Sequence, residues 1–283
     1  MRKLHKTLSA VGIAALSFGI APIANAAPAG NVVTFGDSYF ANPTVEDYWI
    51  AKAPEQIPGL PEVQQKNGCA HDPDGIPAKI GKKTGRQLDD YSCAGAVLYT
   101  PNANNLDRQI EGAIRDGALT PQTAFIAIQI GFNDTYNNAV NLPSVREGWW
   151  KDASDAAVNK IRAHAPNARI AFVNYPTISH PGDSKQCLIH VNVAGQNVDA
   201  GVPAFWIEQG EIETSKYAQQ AADRHNAEFV DVRSMTTDRH ECAPDDKRII
   251  AGAVDNRTQD YNLPVHLNGE GKEIIADAIV ARI

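Results

Sequence analysis

The sequence predicts an α/β fold in which one parallel sheet carries helices on both faces. Two observations carry that reading. Short runs rich in β-branched residues or Phe are apolar throughout, as strands buried on both faces are. Segments of helical periodicity fill the gaps between them, and such alternation is the pattern of a parallel sheet joined by crossover helices.

The first strand is expected at Asn31 to Phe35, ending at Gly36. A weaker candidate lies around Leu88 to Ser92. Leu106, Ile110 and Ile114 then mark one face of a helix, which leads to a strand from Ala124 to Ile130 that stops at Gly131. Val145, Trp149, Ala156 and Ile161 lie along a second helix before a strand from Arg169 to Asn174, closed by Tyr175-Pro176. A third helix is expected from about Ile212 to His225, followed by a strand from Glu228 to Val232. The last helix, Glu270 to Ile283, places Ile274, Ile275, Ala278 and Ile279 at helical spacing. Two stretches, Ala41 to Asn67 and Thr177 to Phe205, break the alternation and carry Pro and Gly. They read as irregular rims of a cleft, since long loops in a compact domain are commonly functional.

Residues 1–26 are expected to be a secretory signal peptide. Arg2, Lys3 and Lys6 form a basic head, an apolar stretch runs from Leu8 to Ile23, and Ala24-Asn25-Ala26 offers a small-residue cleavage site. Residues 27–283 are then one domain, long enough for a well-buried core. No later apolar run is long enough to cross a bilayer, so a soluble chain in the envelope or outside the cell is expected, as a monomer. The leader holds three of the 26 basic residues and none of the 33 acidic ones, leaving a net charge of −10 on the remainder. That balance disfavours nucleic acid and anionic lipid headgroups as partners. Four cysteines in an exported chain, with no Cys-x-x-Cys pair, suggest two disulfides rather than a metal site. Three pairings are possible. Cys69–Cys93 and Cys187–Cys242 are favoured because each then closes a loop beside a candidate site segment.

Three motifs fall at strand-to-loop or loop-to-helix junctions, where ligands of parallel sheets bind. Gly36-Asp37-Ser38 ends the first strand, Gly131-Phe132-Asn133-Asp134 follows the Ala124 strand, and His266 precedes the last helix. Alone, Gly-Asp-Ser is an ordinary turn with Ser as a helix N-cap. Gly95 alone is a turn glycine, and Asn133 alone can cap its own loop. Together they supply what ester cleavage needs. A serine hydroxyl is a poor nucleophile until a base takes its proton, and the developing oxyanion needs donors already aimed at it. The Ser38 N–H, the Gly95 N–H and the Asn133 amide are three such donors. Asp37 and Asp134 read as braces of their turns. The other histidines lie in the leader (His5), at helix ends (His164, His225) or in polar loops (His71, His180, His190, His240). Asp72-Pro73-Asp74-Gly75 lacks the ligand-rich loop of a calcium site, and the Asp238, His240 and Glu241 group reads as a polar loop. No metal or cofactor is expected.

These residues resemble the GDSL or SGNH hydrolases, whose four blocks carry Ser, Gly, Asn and His in the order Ser38, Gly95, Asn133, His266. The resemblance covers essentially all of residues 27–283, and Ser92-Cys93-Ala94-Gly95-Ala96 is similar to the disulfide-containing secreted actinobacterial lipases and esterases. It implies a flavodoxin-like three-layer fold, a Ser38–His266 pair and an ester substrate, either a lipid or an acylated glycan. An acyltransferase or a non-catalytic lipid or glycan binder is the alternative. A nucleotide or flavin site is disfavoured by the missing phosphate-cradling glycine loop. One departure stands out. The family's last block reads Asp-x-x-His, and here Leu263 holds the Asp position. The carbonyl of Leu263 or its neighbour, as in some relatives, or else Asp260 or Asp255, is left to orient the histidine.

Overall fold

The computed structural model describes residues 30–53, 59, 61–258 and 260–283. The candidate leader lies outside them. The described strands are, in chain order, β1 (Val32–Gly36), β2 (Gln65–Lys66), β3 (Cys69–Ala70), β4 (Leu88–Asp90), β5 (Phe125–Gln129), β6 (Arg169–Val173), β7 (Lys185–Val193), β8 (Gln196–Pro203), β9 (Glu228–Val230) and β10 (Val254–Asp255). Short helices α1 (Ser38–Ala41) and α2 (Val45–Lys52) follow β1, and α3 (Ile76–Thr84) precedes β4. Then come α4 (Leu106–Arg115), α5 (Phe132–Asn137), α6 (Pro143–His164), α7 (Phe205–His225), α8 (Val232–Met235) and α9 (Gly269–Val280).

The expected parallel sheet is present, in the order β4-β1-β5-β6-β9. Counting only its own strands along the chain, the order is 2-1-3-4-5, that of flavodoxin-like sheets. The chain reverses its winding direction between β1 and β5, and the register pairs Gly36 with Gln129 at that point. A crevice opens at such a switch. Alternate residues of each strand feed two cores. Val33, Phe35, Ile126, Ile128, Ile170 and Phe172 pack with residues of α4, α6 and α7. Val32, Phe125, Ala127, Ala171 and Val173 pack with residues of α3 and α9. This two-sided burial explains why the strands read as continuous apolar runs rather than as alternation.

The two stretches expected to be irregular need correction. The first contains the helix α2, capped by the Thr44 hydroxyl on the Asp47 N–H at 3.0 Å. The second contains a long hairpin, β7–β8, that stands off the main sheet and pairs with β10. Its two-residue turn, Ala194-Gly195, has φ of 49° and 85°, the pattern of a type I′ hairpin. Most of β8 is exposed, so it never shows the apolar run by which the buried strands were recognised. Helices α3 and α5 were also unforeseen, and α7 begins at Phe205 rather than near Ile212.

Both sulfur pairs are bonded in the chain order expected, Cys69 to Cys93 and Cys187 to Cys242. The first ties the β2–β3 hairpin to the segment that carries Gly95. The second ties β7 to the polar loop after α8.

Candidate active site

Ser38 is the first residue of α1, directly after the β1 strand and its turn. Its neighbour Asp37, not Ser38 itself, is the N-cap, accepting from the Tyr39 N–H at 3.0 Å. The serine side chain is thus free of capping duty. Gly36 is forced by space, since a Cβ there would lie 2.8 Å from the Gln129 carbonyl oxygen and 3.1 Å from the Phe40 ring. Gln109, buried on the sheet-facing side of α4, pairs with both backbone groups of Gly36. Its Oε1 accepts from the Gly36 N–H at 2.9 Å, and its Nε2 donates to the Gly36 carbonyl at 2.8 Å. Sequence reasoning missed Gln109. The signal was present, because it sits between Leu106, Ile110 and Ala113 on an apolar helix face where a polar residue must have a partner.

His266 approaches from the loop before α9. Its Nε2 is 2.8 Å from the Ser38 Oγ, and its Nδ1 is 2.8 Å from the Pro264 carbonyl oxygen. With Nδ1–H donated to that carbonyl, Nε2 is the acceptor facing the serine. The orienting group is therefore the carbonyl of Pro264, the neighbour of Leu263. Val265, between the carbonyl and the imidazole, makes this reach possible with a φ of 61°, a conformation that β-branched residues seldom adopt. The loop is pinned by the Ala251 N–H on the His266 carbonyl at 2.8 Å and by the Tyr39 hydroxyl on the Val265 carbonyl at 3.3 Å. The Tyr39 ring packs against the imidazole with centroids 4.8 Å apart.

Neither candidate acid bonds to His266. Asp255 is engaged elsewhere, with Arg248 at 2.5 Å and with the N–H groups of Gly252, Arg257 and Thr258 at 2.9 Å each. Burial alone raises its pKa, but these four partners hold it well below the ordinary range. Both side chains of the Arg248–Asp255 pair are fully buried. Removing Asp255 takes one of two carboxylate partners from the buried Arg248 guanidinium, which keeps Asp245 at 2.9 Å. It also leaves the Gly252, Arg257 and Thr258 N–H groups without their acceptor. Asp255→Ala is therefore expected to lower the melting temperature, and it is a poor probe of catalysis. Asp260→Asn is the cleaner test, and it should keep kcat within about tenfold of wild type. Loss of an aspartate that truly orients a catalytic histidine costs about 10⁴-fold. A loss of that size in folded Asp260→Asn protein would restore an acid to the site.

No carboxylate offsets the burial of the imidazole, so its pKa falls from 6.5 to about 4, with the Pro264 hydrogen bond opposing the shift. A base acts only when neutral, that is, above its pKa. The acid limb of kcat/KM should therefore lie near pH 4 rather than near 6.5, as read from a profile of initial rates between pH 3.5 and 8. Stability follows the same sign. The folded imidazole resists a proton that the unfolded chain accepts, so stability falls as pH drops from about 6.5 towards 4.

The sheet order places donors on both sides of Ser38. Gly95 follows β4 on one flank of β1, and Asn133 follows β5 on the other. Gly95, with φ of 79°, is held between two tethers. The Cys93 N–H donates to the Gly36 carbonyl at 3.0 Å, and the Ala96 carbonyl accepts from Asn133 Nδ2 at 2.7 Å. The Ser38 and Gly95 N–H groups have no acceptor among the described residues. The Asn133 amide is clamped from its other end by the Tyr136 hydroxyl, which donates to Oδ1 at 2.5 Å. One Nδ2 proton remains after the bond to Ala96.

The two other acids of the motifs are braces. Asp134 accepts from the N–H groups of Leu98, Tyr99 and Thr100 and from the Thr100 hydroxyl at 2.6 to 3.1 Å, locking the Gly95 loop to the Asn133 helix. Asp37, buried, accepts from the Tyr175 hydroxyl, and burial pushes its pKa up to about 7. Tyr175 also takes the Phe132 N–H at 3.3 Å, so Asp37 and the start of α5 share one anchor. Of the remaining candidates, His71 is bound to the Ser92 carbonyl, and His190 to Asp199 and the Glu241 carbonyl. No group of three or more His, Cys, Asp or Glu side chains among the described residues could hold a metal ion.

A serine and a neutral imidazole at the switch point of a flavodoxin-like sheet, flanked by unspent N–H donors, match a class of carboxylic ester hydrolases. The GDSL-like lipase/acylhydrolase family matches residues 34–274, and the chain belongs to that family. It is 24% identical over 306 positions to Lipase 2 of Streptomyces coelicolor, an alignment that covers 98% of this chain and 95% of the relative. Its fold is similar to the crystal structure of phospholipase A1 from Streptomyces albidoflavus NA297, with a TM-score of 0.56 at 16% identity, covering 90% of this chain and 100% of that one. An extracellular lipase from Streptomyces rimosus gives the same TM-score of 0.56 at 15% identity, over 90% and 99% of the two chains.

Proposed function

We propose that this ester hydrolase is a secreted serine esterase or lipase that works through a Ser38 acyl-enzyme. The observation that carries the reading is the 2.8 Å contact of His266 Nε2 with Ser38 Oγ, with Nδ1 held by a backbone carbonyl. In this reading Ser38 attacks the acyl carbonyl while His266 takes its proton. The tetrahedral oxyanion accepts from the Ser38 N–H, the Gly95 N–H and the free Nδ2–H of Asn133. His266 then protonates the leaving alcohol and draws a proton from water, which releases the acid.

The substrate is proposed to be a lipid ester. Support comes from the relatives, a lipase and a phospholipase A1 among them. Export is supported by the basic and apolar pattern of residues 1–26 and by two disulfides. Residues 27–283 are proposed to form one domain. No helix among the described residues is long and apolar enough to cross a membrane.

Labelling with a fluorophosphonate, followed by peptide mapping, tests the centre of the proposal. A single adduct on Ser38 is expected, together with turnover of p-nitrophenyl esters. A folded protein that takes no label and turns over no ester would instead be a binder that keeps the fold. Sequencing the N-terminus of protein recovered from the medium tests export, with a start at Ala27 as the expected result.

A further inference from the structure

With no acid behind His266, the accuracy of its placement falls on one peptide unit, the one that joins Pro264 to Val265. Its C=O accepts from His266 Nδ1 at 2.8 Å, and its N–H donates to the Gly252 carbonyl at 3.4 Å. A peptide unit is planar, so whatever holds the N–H end also aims the C=O end. Three more backbone contacts continue the arrangement. The Ala251 N–H donates to the His266 carbonyl at 2.8 Å, Ile250 bridges Leu267 antiparallel, and the Asn268 N–H donates to the Ile249 carbonyl at 2.9 Å. Residues 249–252 are thus a template on which residues 265–268 are laid.

The template is itself clamped. The Gly252 N–H donates to Asp255 Oδ2 at 2.9 Å, and the same oxygen accepts from Arg248 Nη1 at 2.5 Å. Nη1 also donates to the Ile250 carbonyl at 3.3 Å, inside the template, and the Arg248 carbonyl accepts from Asn268 Nδ2 at 2.9 Å. Behind Gly252 stands β7. A Cβ on Gly252 would lie 2.8 Å from the Leu188 carbonyl oxygen and 3.0 Å from His190 Cδ2, so glycine alone lets the template seat against that strand. Both charged side chains of the clamp are fully buried. Apolar side chains of similar volume often fill such a space as well or better, so stability alone does not account for the pair. A planar guanidinium fork does supply fixed geometry.

We propose, on the Ser38–His266 reading, that Gly252, Arg248 and Asp255 are positioning residues, which fix the Pro264–Val265 peptide so that its carbonyl holds the imidazole towards Ser38. None of the three bonds to the imidazole, and each acts through the backbone. Asp255 in this way serves the histidine at one remove. A tilt of the peptide turns Nε2 away from the serine, and a misplacement of about 1 Å at a reacting group costs on the order of 10²-fold in rate.

The test is kcat and KM for p-nitrophenyl butyrate, with the Nδ1–H proton resonance of His266 as a second readout. In wild type that proton should be hydrogen-bonded and slow to exchange. Gly252→Ala pushes the template off β7. It should lower kcat about ten- to hundredfold and leave KM within about twofold, because His266 serves both acylation and deacylation. The Nδ1–H resonance should shift or disappear with it. The double variant Arg248→Gln with Asp255→Asn replaces the ion pair by two neutral amides. It should give the same pattern, and it keeps the test sound if Gly252→Ala folds poorly. Ile161→Ala is the control for stability alone, since it opens a cavity in the core on the opposite face of the sheet from Ile250 and Leu267. It should lower the melting temperature but spare kcat and the resonance. An unchanged kcat and resonance in either folded clamp variant overturns the proposal. So does an equal loss in Ile161→Ala, or a wild-type Nδ1–H that exchanges as fast as that of a free imidazole. Failure of the underlying reading looks different: wild type turns over no ester, and Ser38 takes no phosphonate.

Discussion

Ser38→Ala and His266→Ala are each expected to lower kcat by about 10⁶-fold, and the double variant should be little worse than either alone. Groups that act as a unit are non-additive in this way, because either loss already disables the proton transfer. The geometry gives the reason. His266 Nε2 has one partner, the Ser38 hydroxyl, and its other nitrogen is committed to the Pro264 carbonyl. No second acceptor stands ready to take over. Neither substitution should perturb folding, since the side-chain bonds of the pair run only between Ser38 and His266 and to the neighbouring Pro264 carbonyl. Initial rates on p-nitrophenyl butyrate, with circular dichroism as the control for folding, are the measurement. Activity near wild type in folded Ser38→Ala protein would remove the nucleophile from its proposed role.

Asn133→Ala is expected to lower kcat about 10²–10³-fold with a small change in KM, the loss usual for one oxyanion donor. The amide contributes in the transition state, so ground-state binding should barely register the change. Tyr136 shapes the effect. By donating to Oδ1 it decides which end of the amide is N–H, and Ala96 takes one of the two protons that end offers. Asn133→Asp keeps the shape but places acceptors where a donor is needed, so it should be at least as damaging as Asn133→Ala. If saturating rates for both variants equal wild type, the donor lies elsewhere in the crevice.

The sheet and the main participants were legible because their physics is local. A strand buried on both faces has to be apolar throughout, and Gly36 and Gly131 stand where the chain leaves it. Gly131 has φ of 113°, and a Cβ there would meet Trp150 Nε1 at 2.5 Å. What escaped was either non-local or weakly patterned. The β7–β8 arm packs one side only in part, so its residues alternate without a clear apolar face. Helix α5 has one turn and a half, too short for periodicity to appear. Gln109 and Tyr175 act through bonds to residues 73 and 138 positions away in the chain. Replacement of the acid by the Pro264 carbonyl was half legible. The missing aspartate could be seen, but which carbonyl turns towards the ring depends on the backbone of Val265.

Val265 also bears on how this enzyme could be engineered. A β-branched residue held at φ of 61° stores about 1–3 kcal/mol of backbone strain, and the surrounding bonds to Gly252 and Tyr39 keep it there. Evolutionary or laboratory selection for heat resistance alone would find this position early, because Val265→Asn relaxes the strain at a residue already suited to the left-handed region. The relaxed loop could also let the Pro264 carbonyl drift from Nδ1, and the histidine would then sample both tautomers. A library screened by melting temperature should enrich Asn or Gly at this site, while one screened by turnover should discard them. The same residue would be scored as a defect by one criterion and as a necessity by the other.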